Sequence, residues 1–248
     1  MPHEEYIRDV SGGDTAVLFI HGILGTPDHF RGLIPLIPES WSVHNILLDG
    51  HGGTVQDFAK ASMQAWKEQV RRETETLAGR YENIIIAAHS MGTLLAIDAA
   101  LAFPNQVSRL FLLAVPLKIF VKPSALSSSM KVVFNRVSPD DGVALAAKEA
   151  YSIMPSKRLW NYIKWLPRYL ELFREARAAQ SVVGSLQLPC RVFQSGKDEL
   201  VSRRSCEFLK RNPEITLSVL TNSGHFYYEQ ADFEYLQHEF WAACHTCL

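Results

Sequence analysis

Ala88-His89-Ser90-Met91-Gly92 lies between an apolar run and a helix-like stretch of small residues. A serine on such a strand-to-helix turn is held with its hydroxyl exposed above a sheet. The turn is strained, so the positions two before and two after the serine must be small. Gly92 meets that demand, and Ala88 carries the next smallest side chain. Ser is also a good helix N-cap, so the pentapeptide alone does not decide its use. Further along stand Gly196-Lys197-Asp198-Glu199 and Ser223-Gly224-His225, each at the end of a strand-like run. An imidazole can take the proton of a serine hydroxyl as the oxygen attacks a carbonyl carbon, while a carboxylate fixes its tautomer and stabilises its charge. The order Ser90, Asp198, His225 suits that chemistry. Acyl transfer also needs amides aimed at the developing oxyanion. His21-Gly22-Ile23-Leu24-Gly25 supplies a loop that can fold back, and the expected donors are the backbone N–H groups of Ile23 and Met91. No cofactor or metal is required.

Other residues compete for these roles. Glu199 adjoins Asp198, but Asp198 is nearer the strand end. His21, His51 and His89 sit in glycine loops or in the elbow and read as packing histidines, since all three precede Ser90 and Asp198 whereas His225 follows both. Cys244-His245-Thr246-Cys247 is the sharpest metal alternative. A tetrahedral zinc site needs four ligands, and no second Cys-x-x-Cys completes one.

Short apolar runs alternate with helical patterns, as in βαβ units with a mostly parallel sheet. Strands are expected over 16–20, 41–48, 83–88, 107–115, 191–195 and 215–220, and helices over 27–37, 62–81, 91–103, 202–210 and 226–243. The alternation lapses between 116 and 188, where the pattern is mostly helical with prolines at 123, 139, 155 and 167. Pro167 forbids one continuous helix there, so two helices should meet at it. Residues 1–115 and 189–248 thus form an α/β core, and 116–188 an inserted helical cap. Its apolar side chains pack the cap onto the core, and a subset of Phe120, Met130, Phe134, Trp160, Trp165 and Tyr169 is expected to line an acyl pocket.

Of the 248 residues, 47% are apolar, and the formal net charge is -1. That balance gives no general reason to bind nucleic acid or an anionic membrane. No secretory signal or membrane-length apolar run is visible, and four cysteines suggest no disulfide framework, so the expectation is a cytoplasmic protein without stable membrane insertion. Oligomeric state is not legible.

The sequence resembles the α/β-hydrolase superfamily over essentially its whole length. The resemblance rests on the segments 21–25, 88–92, 196–198 and 223–225 quoted above and on Asp49-Gly50-His51-Gly52. Within the superfamily it is similar to compact bacterial carboxylesterases and monoacylglycerol lipases, which carry a short helical cap after the strand that follows the nucleophile helix. The resemblance implies a nucleophile at Ser90, an acid at Asp198, a base at His225, oxyanion amides at Ile23 and Met91, and hydrolysis of a small-molecule carboxylic ester. A thioesterase, an amidase or a carbon–carbon bond hydrolase would use the same triad. A non-catalytic ligand-binding member would usually lack one of the three. Dehalogenases and epoxide hydrolases of this fold need Asp where Ser90 stands.

Overall fold

The computed structural model describes residues 3–156 and 158–245. Seven strands form one sheet: β1 (Tyr6–Arg8), β2 (Thr15–Ile20), β3 (Ser42–Ile46), β4 (Asn83–His89), β5 (Val107–Leu113), β6 (Cys190–Ser195) and β7 (Ile215–Leu220), in the order β1-β3-β2-β4-β5-β6-β7. All neighbours are parallel except β1, which pairs antiparallel with β3 at the edge.

The apolar runs are continuous because both faces of the central strands are covered. Successive residues serve different cores: Leu18, Ile20, Ile84 and Ile86 join one, while Val17, Phe19 and Ile85 join the other. Helices α1 (Val55–Lys60), α2 (Met63–Ala78) and α3 (Met91–Ala102) contribute to the first, and α8 (Gln230–His245) to the second. In α2 the buried residues Met63, Trp66, Val70, Thr74 and Leu77 recur at helical spacing, and the Ser62 hydroxyl caps its N-terminus. In α3 residues 91–97 are all buried, and all but Gly92 and Thr93 are apolar in side chain.

Between β5 and β6 the chain leaves the sheet. It forms α4 (Pro123–Val133), α5 (Gly142–Ala150), a 3-10 turn (Leu159–Trp165) and α6 (Leu166–Val182). Pro167 falls in the first turn of α6, where its missing N–H costs no helical hydrogen bond. The segment is tied down at its base by an antiparallel bridge between Ile119 and Val201. It is also held by the Trp165 indole, which donates to the Val55 carbonyl at 2.9 Å. The helix α7 (Cys206–Leu209) closes the β6–β7 connection.

Several expected elements differ. Residues 27–37 make two 3-10 turns, Pro27–Phe30 and Ile34–Leu36, since Gly32 and Pro35 interrupt a longer helix. Residues 203–209 are a 3-10 turn running into the single-turn α7. The last helix starts at Gln230, because residues 222–229 are drawn into a loop by the Ser223 hydroxyl and the Asp232 carboxylate. Strand β1 and helix α1 were not expected. Among the described residues no helix is long and apolar enough to cross a membrane.

Candidate active site

β4 delivers Ser90 at its carboxyl end and α3 starts at the next residue. Ser90 sits at φ 52°, ψ −125°, a conformation that costs a side-chain-bearing residue free energy. Its amide is held by the Leu113 carbonyl at 2.8 Å. The turn is closed by Gly92: a Cβ there would meet the Ile20 carbonyl oxygen at 2.3 Å. The Ala88 methyl is fully buried.

The β6 and β7 ends bring the other two groups to this turn. The His225 Nδ1–H donates to the Asp198 carboxylate, 2.9 Å from Oδ2 and 3.1 Å from Oδ1. That tautomer leaves Nε2 as an acceptor for the Ser90 hydroxyl at 3.0 Å. Asp198 Oδ1 also accepts from the amides of Leu200 and Val201, both at 2.8 Å. Burial works against a charge on Asp198, but His225 and these two amides outweigh it and hold the carboxyl below its usual range. Ser90, Asp198 and His225 are 6%, 4% and 2% exposed, so water competes little for their hydrogen bonds. A hydroxyl, an imidazole and a carboxylate so connected can pass a proton from oxygen to nitrogen without moving the ring.

The loop after β2 closes over Ser90. Gly22 lies so near that a Cβ on it would come within 2.9 Å of the Ser90 Cβ. The Gly25 amide donates to the Gly22 carbonyl at 2.9 Å, and Leu24 takes a left-handed φ of 59°. Ile23 is the second residue of this tight turn, and Met91 is the first of α3, where helical amides lack intrahelical acceptors. Among the described residues, neither amide donates to a protein acceptor.

The remaining polar residues position these groups. Glu199 accepts the His225 backbone N–H at 2.9 Å, and the open space at Gly224 admits its carboxylate. The His89 ring turns away from Ser90, and its Nε2–H donates to the His225 carbonyl at 3.0 Å. His21 accepts the Leu48 amide through Nε2 and donates from Nδ1 to the Gly22 carbonyl, which fixes the loop. His51 donates from Nδ1 to the Leu48 carbonyl. His29, which the sequence did not mark, stacks on His89 with ring centroids 3.9 Å apart. Burial drives His21 down to about 4 and His29 to about 3, and pushes His51 and His89 well below the ordinary histidine value.

The six expected pocket residues are not gathered at the site. A small cavity of about 20 Å³ beside His225 is lined instead by others, including Ser128, Ala147, Tyr151, Glu199 and Phe226. Phe120 and Trp160 point to solvent, and Met130 and Phe134 are also exposed. Trp165 packs edge-on against Phe58, and Tyr169 against the core. Most large side chains in the helical segment are spent on its seat and its outer surface, while Ala125, Ser128, Val143, Ala147 and the single aromatic Tyr151 line the cavity beside His225. Phe226 also borders a second, more polar cavity of about 550 Å³ lined by Thr26, Asp28, His29, Arg31 and Tyr228 among others. Among the described residues no cluster of His, Cys, Asp or Glu could hold a metal ion. Cys244 is buried, its thiol pushed up to about 12, and Cys247 lies outside the described residues.

A sequence model of the alpha/beta hydrolase family matches residues 17–236. The chain belongs to the alpha/beta hydrolase family. This hydrolase is similar to an uncharacterized protein of Mycobacterium tuberculosis, 26% identical over 151 residues, which cover 60% of the chain and 41% of that protein. The chain thus spans well under half the length of the curated relatives it matches first. Among solved structures, a metagenome-derived lipolytic enzyme of the LipS and LipT pair shares 22% identity at a TM-score of 0.74, over 98% of this chain and 97% of that one. A monoacylglycerol lipase of Paleococcus ferrophilus shares 16% identity at a TM-score of 0.66, over 98% and 100%. At such identities these likenesses concern the fold.

Proposed function

We propose that this hydrolase cleaves small carboxylic esters, as a carboxylesterase or monoacylglycerol lipase does, through an acyl-enzyme on Ser90. The observation that carries the reading is the single imidazole bridging Ser90 at 3.0 Å and Asp198 at 2.9 Å. His225 Nε2 takes the Ser90 proton as Oγ bonds to the carbonyl carbon. The negative charge moves to the carbonyl oxygen, which the Ile23 and Met91 amides receive. Each such donor lowers the barrier by roughly 3 kcal/mol. The tetrahedral intermediate collapses, the C–O bond to the alcohol breaks, and the imidazolium returns its proton to the leaving oxygen. Water then gives a proton to His225 as its oxygen bonds to the acyl carbon; the C–O bond to Ser90 breaks, the imidazolium returns the proton to Oγ, and the acid leaves. Asp198 remains ionised throughout.

The 20 Å³ cavity beside His225 has room for about one water molecule, so an acyl chain enters by displacing the helical segment. Phe226 lines both that cavity and the larger polar one. The polar side suits the alcohol portion of an ester. The similarity to lipolytic enzymes and a monoacylglycerol lipase supports this substrate class.

The test is a panel at matched concentration: p-nitrophenyl butyrate and caprylate, a monoacylglycerol, an acyl-thioester, an anilide and an emulsified triacylglycerol. Highest turnover on the dissolved esters or the monoacylglycerol is expected. Preference for the thioester or anilide would leave the Ser90 chemistry standing and reject ester specificity, and preference for the emulsion would reject the small substrate.

A further inference from the structure

We infer that the outer face of the 3-10 turn and α6 is a docking surface for an anionic lipid bilayer. The net charge of the chain conceals an asymmetry. Residues 116–188 hold eleven Lys and Arg against five Asp and Glu, while the rest holds fourteen against twenty-one. The segment standing over Ser90 is therefore cationic and the body beneath it anionic.

The same segment carries an apolar ridge. Residues three apart eclipse in a 3-10 helix, so Trp160, Ile163 and Leu166 fall in line. Residues four and three apart share a face in an α-helix, so Leu166, Leu170 and Phe173 continue it. These five side chains are between 46% and 70% exposed. Together they present on the order of 500 Å² of apolar surface, at the large end for a patch on a soluble monomer.

The ridge is edged by cations. Arg158, Lys164, Arg174 and Arg177 are exposed, and of their charges only that of Arg174 is felt by a carboxylate of α6, Glu171. The acidic groups of α6 lie on its flank and are already engaged. Glu171 receives Arg168 at 2.6 Å and the Met63 amide at 2.9 Å, and Glu175 receives Lys67 at 2.9 Å. An exposed face with aromatic and aliphatic side chains along its middle, exposed cations at its sides and no unengaged carboxylate matches the headgroup–acyl boundary of a bilayer containing anionic lipid. The inference rests on shape and charge and is independent of the ester the site cleaves.

The experiment is co-sedimentation of the full chain with vesicles of phosphatidylcholine alone and of phosphatidylcholine and phosphatidylglycerol in equal parts. Strong binding is expected only to the anionic vesicles, and it should weaken as salt is raised. Each cation near the surface is worth roughly five-fold in partition, so Arg174→Gln with Arg177→Gln should lower binding roughly 25-fold. Ile163→Ser with Leu166→Ser should lower it at least about ten-fold. Trp241→Ser, on the exposed part of α8, should bind as wild type. Circular dichroism and thermal melting report the fold of every variant, and turnover of dissolved p-nitrophenyl butyrate reports the site separately. Wild type that stays in solution with anionic vesicles would overturn the inference, as would ridge and arginine variants that bind undiminished. Self-association lost with Ile163→Ser and Leu166→Ser, without vesicle binding, would assign the face to a second copy of the chain and overturn it too.

Discussion

At the scale of single residues, hydrogen bonds separate two adjacent carboxylates that sequence alone could only rank. Asp198 faces the His225 imidazole, and Glu199 faces the backbone of the same residue. Asp198→Asn should therefore cut turnover by a factor on the order of 10³–10⁴, because an amide stabilises neither the tautomer nor the imidazolium. Glu199→Gln keeps an acceptor for the His225 amide and should retain turnover within about ten-fold of wild type. Steady-state rates on a dissolved ester check both, and the reverse pattern would exchange the two assignments. Gly92 offers a structural companion. Its missing Cβ would lie 2.3 Å from a backbone oxygen, so Gly92→Ala should cost roughly 2–3 kcal/mol and lower Tm by about 5–10 °C. The elbow was legible in the sequence because strain demands small residues at fixed offsets. His29 was not, since a stacked ring far away in the chain leaves no local pattern.

At the scale of elements, His44 on β3 joins two parts of the fold. It lies 3.1 Å from Asp9, just after β1, and 2.5 Å from Glu73 on α2. Burial opposes its charge, but the two carboxylates prevail and raise its pKa. A group raised above its unfolded value contributes stability that is complete below that value and lost as pH climbs through the folded one. His44→Gln should thus lower Tm more at about pH 6 than at about pH 9, as thermal melts of both proteins would show. The helical segment has its own anchor: Trp165→Ala removes a buried indole and its bond to Val55, which should cost roughly 3–5 kcal/mol in urea denaturation. Periodicity made the central strands and α2 readable, since burial on one or both faces writes itself into the chain. The edge strand β1 was missed because only three residues pair and two are exposed. Helix α1 was missed because it is six residues long, although Thr54 and Asp57 form a capping box that signals its start. The expected pocket residues failed for a related reason: a large apolar side chain in a cap reads the same whether it faces the substrate, the core or solvent.

At the scale of the molecule, four buried neutral histidines surround the site. An unfolded chain protonates them near 6.5, whereas the folded chain holds His21 to about 4 and His29 to about 3, with His51 and His89 also well depressed. Between those values the unfolded state binds more protons, so stability falls as pH drops, by at most about 1.4 kcal/mol per unit per histidine. Asp198, depressed in the fold, adds a further loss only below its ordinary value of 3.8. Urea midpoints should therefore decline steadily from about pH 7 to about pH 4.5, and less steeply in His29→Phe. A flat profile would mean that these rings accept protons in place. The proposed chemistry turns on one oxygen atom, Oγ of Ser90. Treating the protein with diethyl p-nitrophenyl phosphate and measuring intact mass tests it most directly. A single diethylphosphoryl adduct is expected, located on Ser90 by peptide mapping and absent from Ser90→Ala, with loss of ester turnover in step with labelling. An adduct that persists in Ser90→Ala, or full turnover by that variant, would contradict it.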